Sequence, residues 1–592
     1  MSAAAHPDTR EFRPLALADA LAAWSLRKGM APELARALAL AARAEADGHA
    51  CVRLAELGDE QPAFDLDALR RHAWVGDGTA VTPAVLTADG DFFLWRNWRH
   101  EQRVSASLLQ RIGNAQTLAD SLWQADLGQL YAGMDVSHSA GQRLATVRAL
   151  GKRLFVLSGG PGTGKTSTVL RMLLLQQRVA AARGLPTPSV ALAAPTGKAA
   201  QRLSQAVRDG KARLQQSLAS QAGDWSAALA AIPEGAQTLH RLLGALPAED
   251  RFRYGHEQPL PHDIVVVDEA SMVDLASMRA LLDALADTAT LLLVGDPDQL
   301  VSVSAGSVLA DIVAASAQGC GFEQHTAQLT HVWRAGSELA LAYAAARRGD
   351  ADELRRCLQH IEACSIHGIN DPRMLAARVQ HWLALPQWSA LHAASARVDD
   401  PAAAFVALRG QQLLTALRAG PFGAESLNAA IDSHWRRANG GAQWYPGRPV
   451  LIRNNDYARR LFNGDVGVAV GRGNALRIAF ETVDASGQPS LRLLQPRELP
   501  DFDLAYAITV HQSQGSEYDH VAVLLPPDAD NRILSRQLLY TGISRARNSV
   551  EIWASAASLD AALGRVSLRA GGLRQALARR TLASNAPDCA PW

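Results

Sequence analysis

The stretch SGGPGTGKTSTV, residues 158 to 169, sets Gly159, Gly160, Pro161, Gly162, Thr163, Gly164, Lys165, Thr166 and Ser167 in the spacing G-x-x-x-x-G-K-[ST]. Glycines at these positions let successive backbone N–H groups curl around phosphate at the start of a helix. Lys165 then reaches the β- and γ-phosphates, and the Thr166 hydroxyl suits Mg²⁺. A second pair, Asp268 and Glu269, ends the apolar run IVVVDEAS. In that position Asp268 suits the Mg²⁺ shell and Glu269 the polarisation of an attacking water, because phosphoryl transfer needs positioning and charge neutralisation more than covalent chemistry. Taken alone, an acidic pair at a strand end is usually surface charge, and the loop upstream is what changes its meaning.

Other segments carry polar groups at the ends of apolar runs. LLLVGDPDQL finishes with Asp296 and Gln299, placed either to sense a γ-phosphate or simply to form an Asp-Pro-Asp turn. In LAAPTGKAAQRL, Pro195, Thr196, Gly197 and Lys198 offer small donors and one cation, which suits a phosphate backbone and not base reading. TLHRLLG adds Thr238 and His240, the latter more often structural in such a setting. AYAITVHQSQGSEYDHVAVLL sets Thr509, His511, Gln514, Gly515 and Glu517 ahead of an apolar strand, and LLYTGISRARNSVEIW carries Arg545 and Arg547. An arginine reaching a γ-phosphate across a cleft supplies about 10³ to 10⁵ in rate, which requires a second unit closing over the first.

These groups need rigid elements behind them. From about residue 150 to 330, short Leu/Val runs (LFVLSG, SVALAAPT, DIVVVDEA, TLLLVGDP) alternate with helical stretches, the pattern of a parallel sheet covered on both faces. DHVAVLLPP and SVEIWAS return to that style after an Ala-rich helical region at about 336 to 440, so a second α/β unit is expected. Between them, runs bounded by Asn-Gly and Ser-Gly turns predict a small β insert at about 445 to 500. Residues 15 to about 115 show helical periodicity and predict a small helical domain.

With 592 residues the chain is too long for one core. Its formal charge of +1 means that any polyanion site must be local. Five scattered cysteines without CxxC spacing argue against a disulfide framework or a zinc cage. A basic leader followed by an apolar core is missing, as is any run of about eighteen apolar residues, so a cytoplasmic protein with no membrane partner is expected.

In order and spacing, SGGPGTGKTST, APTGKAAQRL, TLHRLLG, VVVDEASMVD, LLVGDPDQL, LTHVWRAG, TVHQSQGSEYDHV and LYTGISRARNSV resemble the superfamily 1 helicases, and within them the RecD-type branch. The resemblance implies two RecA-like P-loop motor domains at 116–335 and 336–592 sandwiching ATP and Mg²⁺, an SH3-like element as the β insert, and an N-terminal partner-docking domain at 1–115. It places Lys165, Thr166, Asp268, Glu269 and Gln299 on the first motor domain, and brings Arg334 and Arg545 as arginine contacts from the other side. Gln142 resembles the glutamine that reads adenine, and Gly515 and Glu517 join the nucleotide set. Pro195, Thr196, Gly197, Lys198, His240, Thr509 and His511 would line a single-strand track. It further implies 5′ to 3′ movement, DNA ends as substrate, RecB-like and RecC-like partner subunits, and a nuclease site on a partner chain. Two rival readings are a P-loop kinase or signalling ATPase, which leaves the second α/β unit without a task, and a scaffold that binds ATP as a switch, which has no need of Lys165, Glu269 and Arg545 together.

Overall fold

The computed structural model describes residues 14–57, 63–113, 118–219, 224–246, 251–318, 321–333, 337–456, 459, 461–483 and 489–584. Arg334 lies outside them.

Two N-terminal helices, Pro14–Arg27 and Pro32–Ala46, precede a four-stranded sheet of β1 (Val52–Arg53), β2 (Val75–Gly76), β3 (Ala84–Leu86) and β4 (Asp91–Leu94), in the order β1-β4-β3-β2. Helical periodicity gave no sign of this sheet, whose strands have only two to four residues and so display almost no alternation. The region is also not separate from the first parallel-sheet lobe. Helix Trp95–Gly113 packs on helix Leu275–Ala284, and Arg111 donates to the carbonyls of Ala289 at 2.9 Å and Leu285 at 3.2 Å.

The first lobe is a six-stranded parallel sheet built from β5 (Leu154–Gly159), β6 (Val190–Ala194), β7 (Gln237–Thr238), β10 (Ile264–Val267), β11 (Thr290–Gly295) and β12 (Thr326–Leu329), in the order β12-β5-β11-β10-β6-β7. A side hairpin pairs β8 (Ala245–Leu246) with β9 (Arg251–Phe252). Alternation with period two divides the strand residues between two cores. Leu154, Val156, Val265, Val267, Leu291 and Leu293 face one, and Phe155, Leu157, Ile264, Val266, Leu292 and Val294 the other. Every residue of β5, β6, β10 and β11 is buried, as expected for central parallel strands.

The second lobe is a five-stranded parallel sheet of β13 (Cys364–His367), β14 (Gln411–Thr415), β20 (Ala507–Thr509), β21 (Tyr518–Leu524) and β22 (Ala546–Trp553), in the order β13-β22-β21-β14-β20. Two of its strands, β13 and β14, thread through the Ala-rich stretch expected to be helical. Their sequences CSIH and QQLLT are too short and polar to announce themselves. Inserted before β20 is an antiparallel sheet of β15 (Pro449–Ile452), β16 (Val466–Val470), β17 (Arg477–Val483), β18 (Pro489–Leu494) and β19 (Phe502–Leu504). The chain then returns to its beginning, as helix Leu573–Ser584 packs on helices Trp95–Gly113 and Val308–Ser316.

Candidate nucleotide site and strand groove

The phosphate loop joins β5 to helix Lys165–Ala182. That helix is anchored by Val169, Leu170, Leu173 and Leu174, all buried in the core beneath the sheet, and each contributes about 1.5–3 kcal/mol. Gly162 (φ 73°) and Gly164 (φ 82°) take the left-handed turns that aim the loop amides inward. Lys165 Nζ donates to the carbonyls of Gly159 at 2.7 Å and Gly160 at 3.1 Å. Gln142, from helix Val136–Arg148, is buried and donates through Nε2 to Thr163 O at 3.1 Å; its Oε1 is buried without a hydrogen-bond partner. On the other side of the loop the backbone N–H of Trp333 donates to Gly162 O at 2.9 Å, and the Trp333, His331 and His138 rings form a cluster.

β11 lies between the loop strand β5 and β10, whose end carries Asp268 and Glu269. Burial, then the neighbouring Glu269, push the Asp268 carboxyl up to about 6, while Lys165 pulls it the other way. Asp268 Oδ1 accepts from the Glu269 N–H at 2.9 Å. Glu269 itself stands at φ 51°, the one non-glycine with positive φ among the described residues. Room for that turn comes from Gly295, where a Cβ would stand 3.2 Å from the amide nitrogens of Ala270 and Ser271. The hard oxygens of Thr166 and Asp268 fit Mg²⁺.

Asp296, buried at the end of β11, collects three donors. Gln299 Nε2 approaches at 3.2 Å, the Asp298 N–H at 3.1 Å, and the Tyr540 hydroxyl, from the second lobe, at 2.8 Å. The same hydroxyl stands 3.1 Å from where a Cβ on Gly160 would be, so it borders the phosphate loop as well. Four residues after Asp296, Leu300 is gripped at both ends of its backbone: its N–H donates to Thr541 Oγ1 at 2.8 Å and its carbonyl accepts from Gln514 Nε2 at 2.7 Å.

Pro195, Thr196, Gly197, Lys198, His240 and His511 come together along one groove of about 920 Å³. Thr238, Gln514, the loop Ser302–Ser304 and, from the β insert, Asn455 and Phe462–Gly464 share its wall. The Thr196 hydroxyl caps helix Gly197–Leu218, accepting the Ala199 N–H at 3.2 Å, and so presents a long helix N-terminus to the groove. Anions are favoured at such an end. Lys198 Nζ donates to Tyr518 Oη of the second lobe at 3.4 Å. Thr509 does not line the groove. It bonds Gln512, which does.

Two expected nucleotide contacts are engaged elsewhere. Glu517 pairs with Arg202 of the first lobe and with Arg547 at 3.2 Å, and with Gly515 it borders a separate cleft against the β insert. Arg545 is buried within the second lobe, donating to Thr541 O at 3.1 Å, Ser516 O at 3.4 Å and Ser544 Oγ at 3.1 Å. Motif reading passed over Tyr540, Thr541, Arg202 and Ser302–Ser304. Tyr540 and Thr541 stand within LLYTGISRAR, but a hydroxyl-bearing residue inside an apolar helix signals nothing without the opposing lobe.

A phosphate loop, an acidic strand end and a groove walled by two parallel-sheet lobes define a two-lobed P-loop motor of the helicase class. A family profile described as an AAA domain matches residues 142–305, and one described as a UvrD-like helicase C-terminal domain matches residues 504–552. The chain is 38% identical over 567 residues to RecBCD enzyme subunit RecD of Mycobacterium tuberculosis, covering 92% of this chain and 91% of that one. It is likewise 38% identical to the RecD subunit of Mycolicibacterium smegmatis, covering 91% of this chain and 93% of the relative. Against the ATP-dependent RecD2 DNA helicase of Deinococcus radiodurans it is 33% identical, over 67% of this chain and 46% of that one. The chain belongs to the RecD family.

Proposed function

We propose that this chain is the ATP-driven, 5′ to 3′ DNA motor of a cytoplasmic RecBCD-type assembly that processes DNA ends in recombinational repair and in the degradation of linear DNA. RecB-like and RecC-like subunits are its partners, and the nuclease site belongs to a partner chain. The observation that carries this reading is the segment Asp296–Ser304. It starts beside the phosphate loop, is bonded to the second lobe through Tyr540, Thr541 and Gln514, and ends in the wall of the groove. A movement between the lobes driven at one end is thereby transmitted to the other.

In this reading Lys165 neutralises the β- and γ-phosphates, and Glu269 orients the attacking water. Gln299, held against Asp296, stands where loss of the γ-phosphate changes its partners. Thr166 and Asp268 would hold Mg²⁺, which supplies charge neutralisation between the phosphates. The free Oε1 of Gln142 is an acceptor for the adenine amino group. Thr196, Gly197, Lys198, His240 and His511 hold the phosphate backbone of a single strand without reading bases, and Thr509 supports them through Gln512. Arg545, with Arg334, is assigned to the nucleotide in a more closed state of the cleft, and Gly515 and Glu517 follow with that closure. The 1–115 region is the docking domain, 116–335 and 336–592 are the motor domains, and the sheet β15–β19 is the SH3-like element.

The test is ATP-dependent unwinding of short duplexes with a 5′ or a 3′ single-stranded tail, by the chain alone and with co-purified partners, with Lys165→Gln as the blank. Unwinding from the 5′ tail alone, lost in the variant, is expected. ATP turnover indifferent to single strands would favour the kinase class, and ATP binding without turnover the scaffold. Undiminished turnover in Lys165→Gln would sink the site assignment.

A further inference from the structure

Arg569 belongs to none of the motifs, lying in the segment that leads from the second lobe back to the N-terminal region. Its guanidinium spans the groove-lining loop from behind: Nη1 donates to Ser304 O at 2.9 Å and Nη2 to Ser302 O at 2.6 Å. The loop so held carries Val303, which is 73% exposed and lines the groove. A planar fork with two parallel donors fixes two carbonyls at once, which a flexible ammonium does not.

The same guanidinium also rests on Gly48. A Cβ there would fall 1.3 Å from Arg569 Nη1 and would displace the guanidinium, and the backbone at φ 84° itself favours glycine. The three segments are also stitched by two backbone bonds and one to a side chain. The Gly306 N–H donates to Gly48 O at 3.0 Å, the Ala50 N–H to Ala570 O at 2.8 Å, and the Ala570 N–H to His49 Nδ1 at 2.8 Å. Burial and the Arg569 charge together lower the affinity of the His511 ring for a proton, which sets Arg569 close to the groove without being in it. Asp296–Ser304 is therefore tied at its phosphate-loop end by Tyr540, at Leu300 by Thr541 and at its groove end by Arg569, with Gly48 holding Gly306 just beyond.

We infer that Arg569 is a positioning residue for the single-strand groove: it holds Ser302–Ser304, and with them Val303, in the shape that grips a strand, and it links that grip to the N-terminal region through Gly48. This rests on the groove being the strand track. A loop released from Arg569 still binds nucleotide but must be reordered by each strand that enters, so the loss falls on the strand and not on ATP.

The experiment measures ATP turnover by the full chain with its partners against increasing concentrations of oligo(dT), for the natural sequence, Arg569→Ala, Arg569→Lys and Gly48→Ala. Expected for Arg569→Ala is a roughly tenfold rise in the oligo(dT) concentration for half-maximal turnover. Turnover without DNA, the KM for ATP and kcat at saturating oligo(dT) stay within about twofold. Arg569→Lys, with charge but no fork, falls between, and Gly48→Ala, which keeps the arginine but displaces it, behaves as Arg569→Ala. An unchanged half-saturation in Arg569→Ala overturns the inference, as does an equal fall of DNA-free and DNA-stimulated turnover, which marks a general structural role. If the natural chain ignores oligo(dT) altogether, the strand-track reading itself is overturned, a result distinct from either.

Discussion

Glu269 holds a backbone conformation that costs about 1–3 kcal/mol for a residue with a side chain. Such strain persists where its surroundings hold it, and here the bare backbone of Gly295 lets the turn after Glu269 pack close against it, since a Cβ there would stand 3.2 Å from the amide nitrogens of Ala270 and Ser271. Tyr540 is the residue-scale counterpart on the second lobe. Its hydroxyl gives Asp296 a hydrogen bond to a charged group, a class of contact that contributes about 1.5–3 kcal/mol. Tyr540→Phe removes that bond and little else, while Gln299 and the Asp298 N–H still serve the carboxylate. The expected result is a fall of about tenfold in kcat for DNA-stimulated ATP turnover, about 1.4 kcal/mol on the barrier, with the KM for ATP nearly unchanged. Steady-state kinetics of the purified variant decide it, and an unaltered kcat removes Tyr540 from the coupling route. Lys165, Thr166, Asp268 and Glu269 could be singled out from the sequence because the G-x-x-x-x-G-K-[ST] spacing and an acidic pair ending an apolar run are local patterns. Tyr540 was not, because its partner lies 244 residues away.

At the scale of elements, the second sheet carries a buried polar knot across β21 and β22. Glu551 accepts from His520 Nε2 at 3.2 Å and Trp553 Nε1 at 2.7 Å and pairs with Arg378. Burial works against its charge, but the bonds from His520, Arg378 and Trp553 outweigh burial and hold the carboxyl at about 2. A carboxyl depressed on folding stabilises the fold above its unfolded value of 4.5, and the contribution disappears as pH falls towards 2. Glu551→Gln leaves Arg378 short of its partner and should destabilise by about 3 kcal/mol at neutral pH, with the acid-sensitive part of stability between about 4.5 and 2 reduced. Urea unfolding at pH 7 and at pH 3 reads both; identical midpoints for variant and natural chain would dismiss the knot as a stabilising element. The strands that hold it illustrate what composition hides. SVEIWAS was readable as a strand, whereas CSIH becomes β13 only because the sheet edge beside β22 receives it, and QQLLT becomes β14 because it pairs on both sides, between β21 and β20.

Across the whole molecule, the lobes meet not only beside the phosphate loop but also around Glu517. Arg202, on helix Gly197–Leu218, pairs with Glu517, which Arg547 also contacts. Gln201 Nε2 donates to Glu481 O of the insert at 3.2 Å, and Glu481 is bonded in turn by Arg409 at 2.9 Å. Burial disfavours the Arg202 charge, but Glu517 more than restores it, so the guanidinium is held above its usual range. If this is one device, Arg202→Gln and Glu517→Gln are not additive. A double-mutant cycle on DNA-stimulated turnover should show a coupling of about 1–3 kcal/mol. Simple additivity would mean that the pair merely decorates the cleft.

By itself the sequence determined the local chemistry and the elements that carry it. A phosphate loop needs glycines and a lysine wherever it occurs, and a strand buried on both faces must be apolar throughout, so β5, β6, β10 and β11 were readable without coordinates. The family followed from the order of those segments. Only the tertiary structure decided which groups meet. The grip of Tyr540 and Thr541 on Asp296–Leu300, the Arg202–Glu517 pair, the sheet hidden in the N-terminal region and the fork of Arg569 under Ser302–Ser304 all join residues remote in sequence. Local spacing is fixed by covalent geometry, whereas these contacts depend on how distant segments pack against each other, which no periodicity within one segment records.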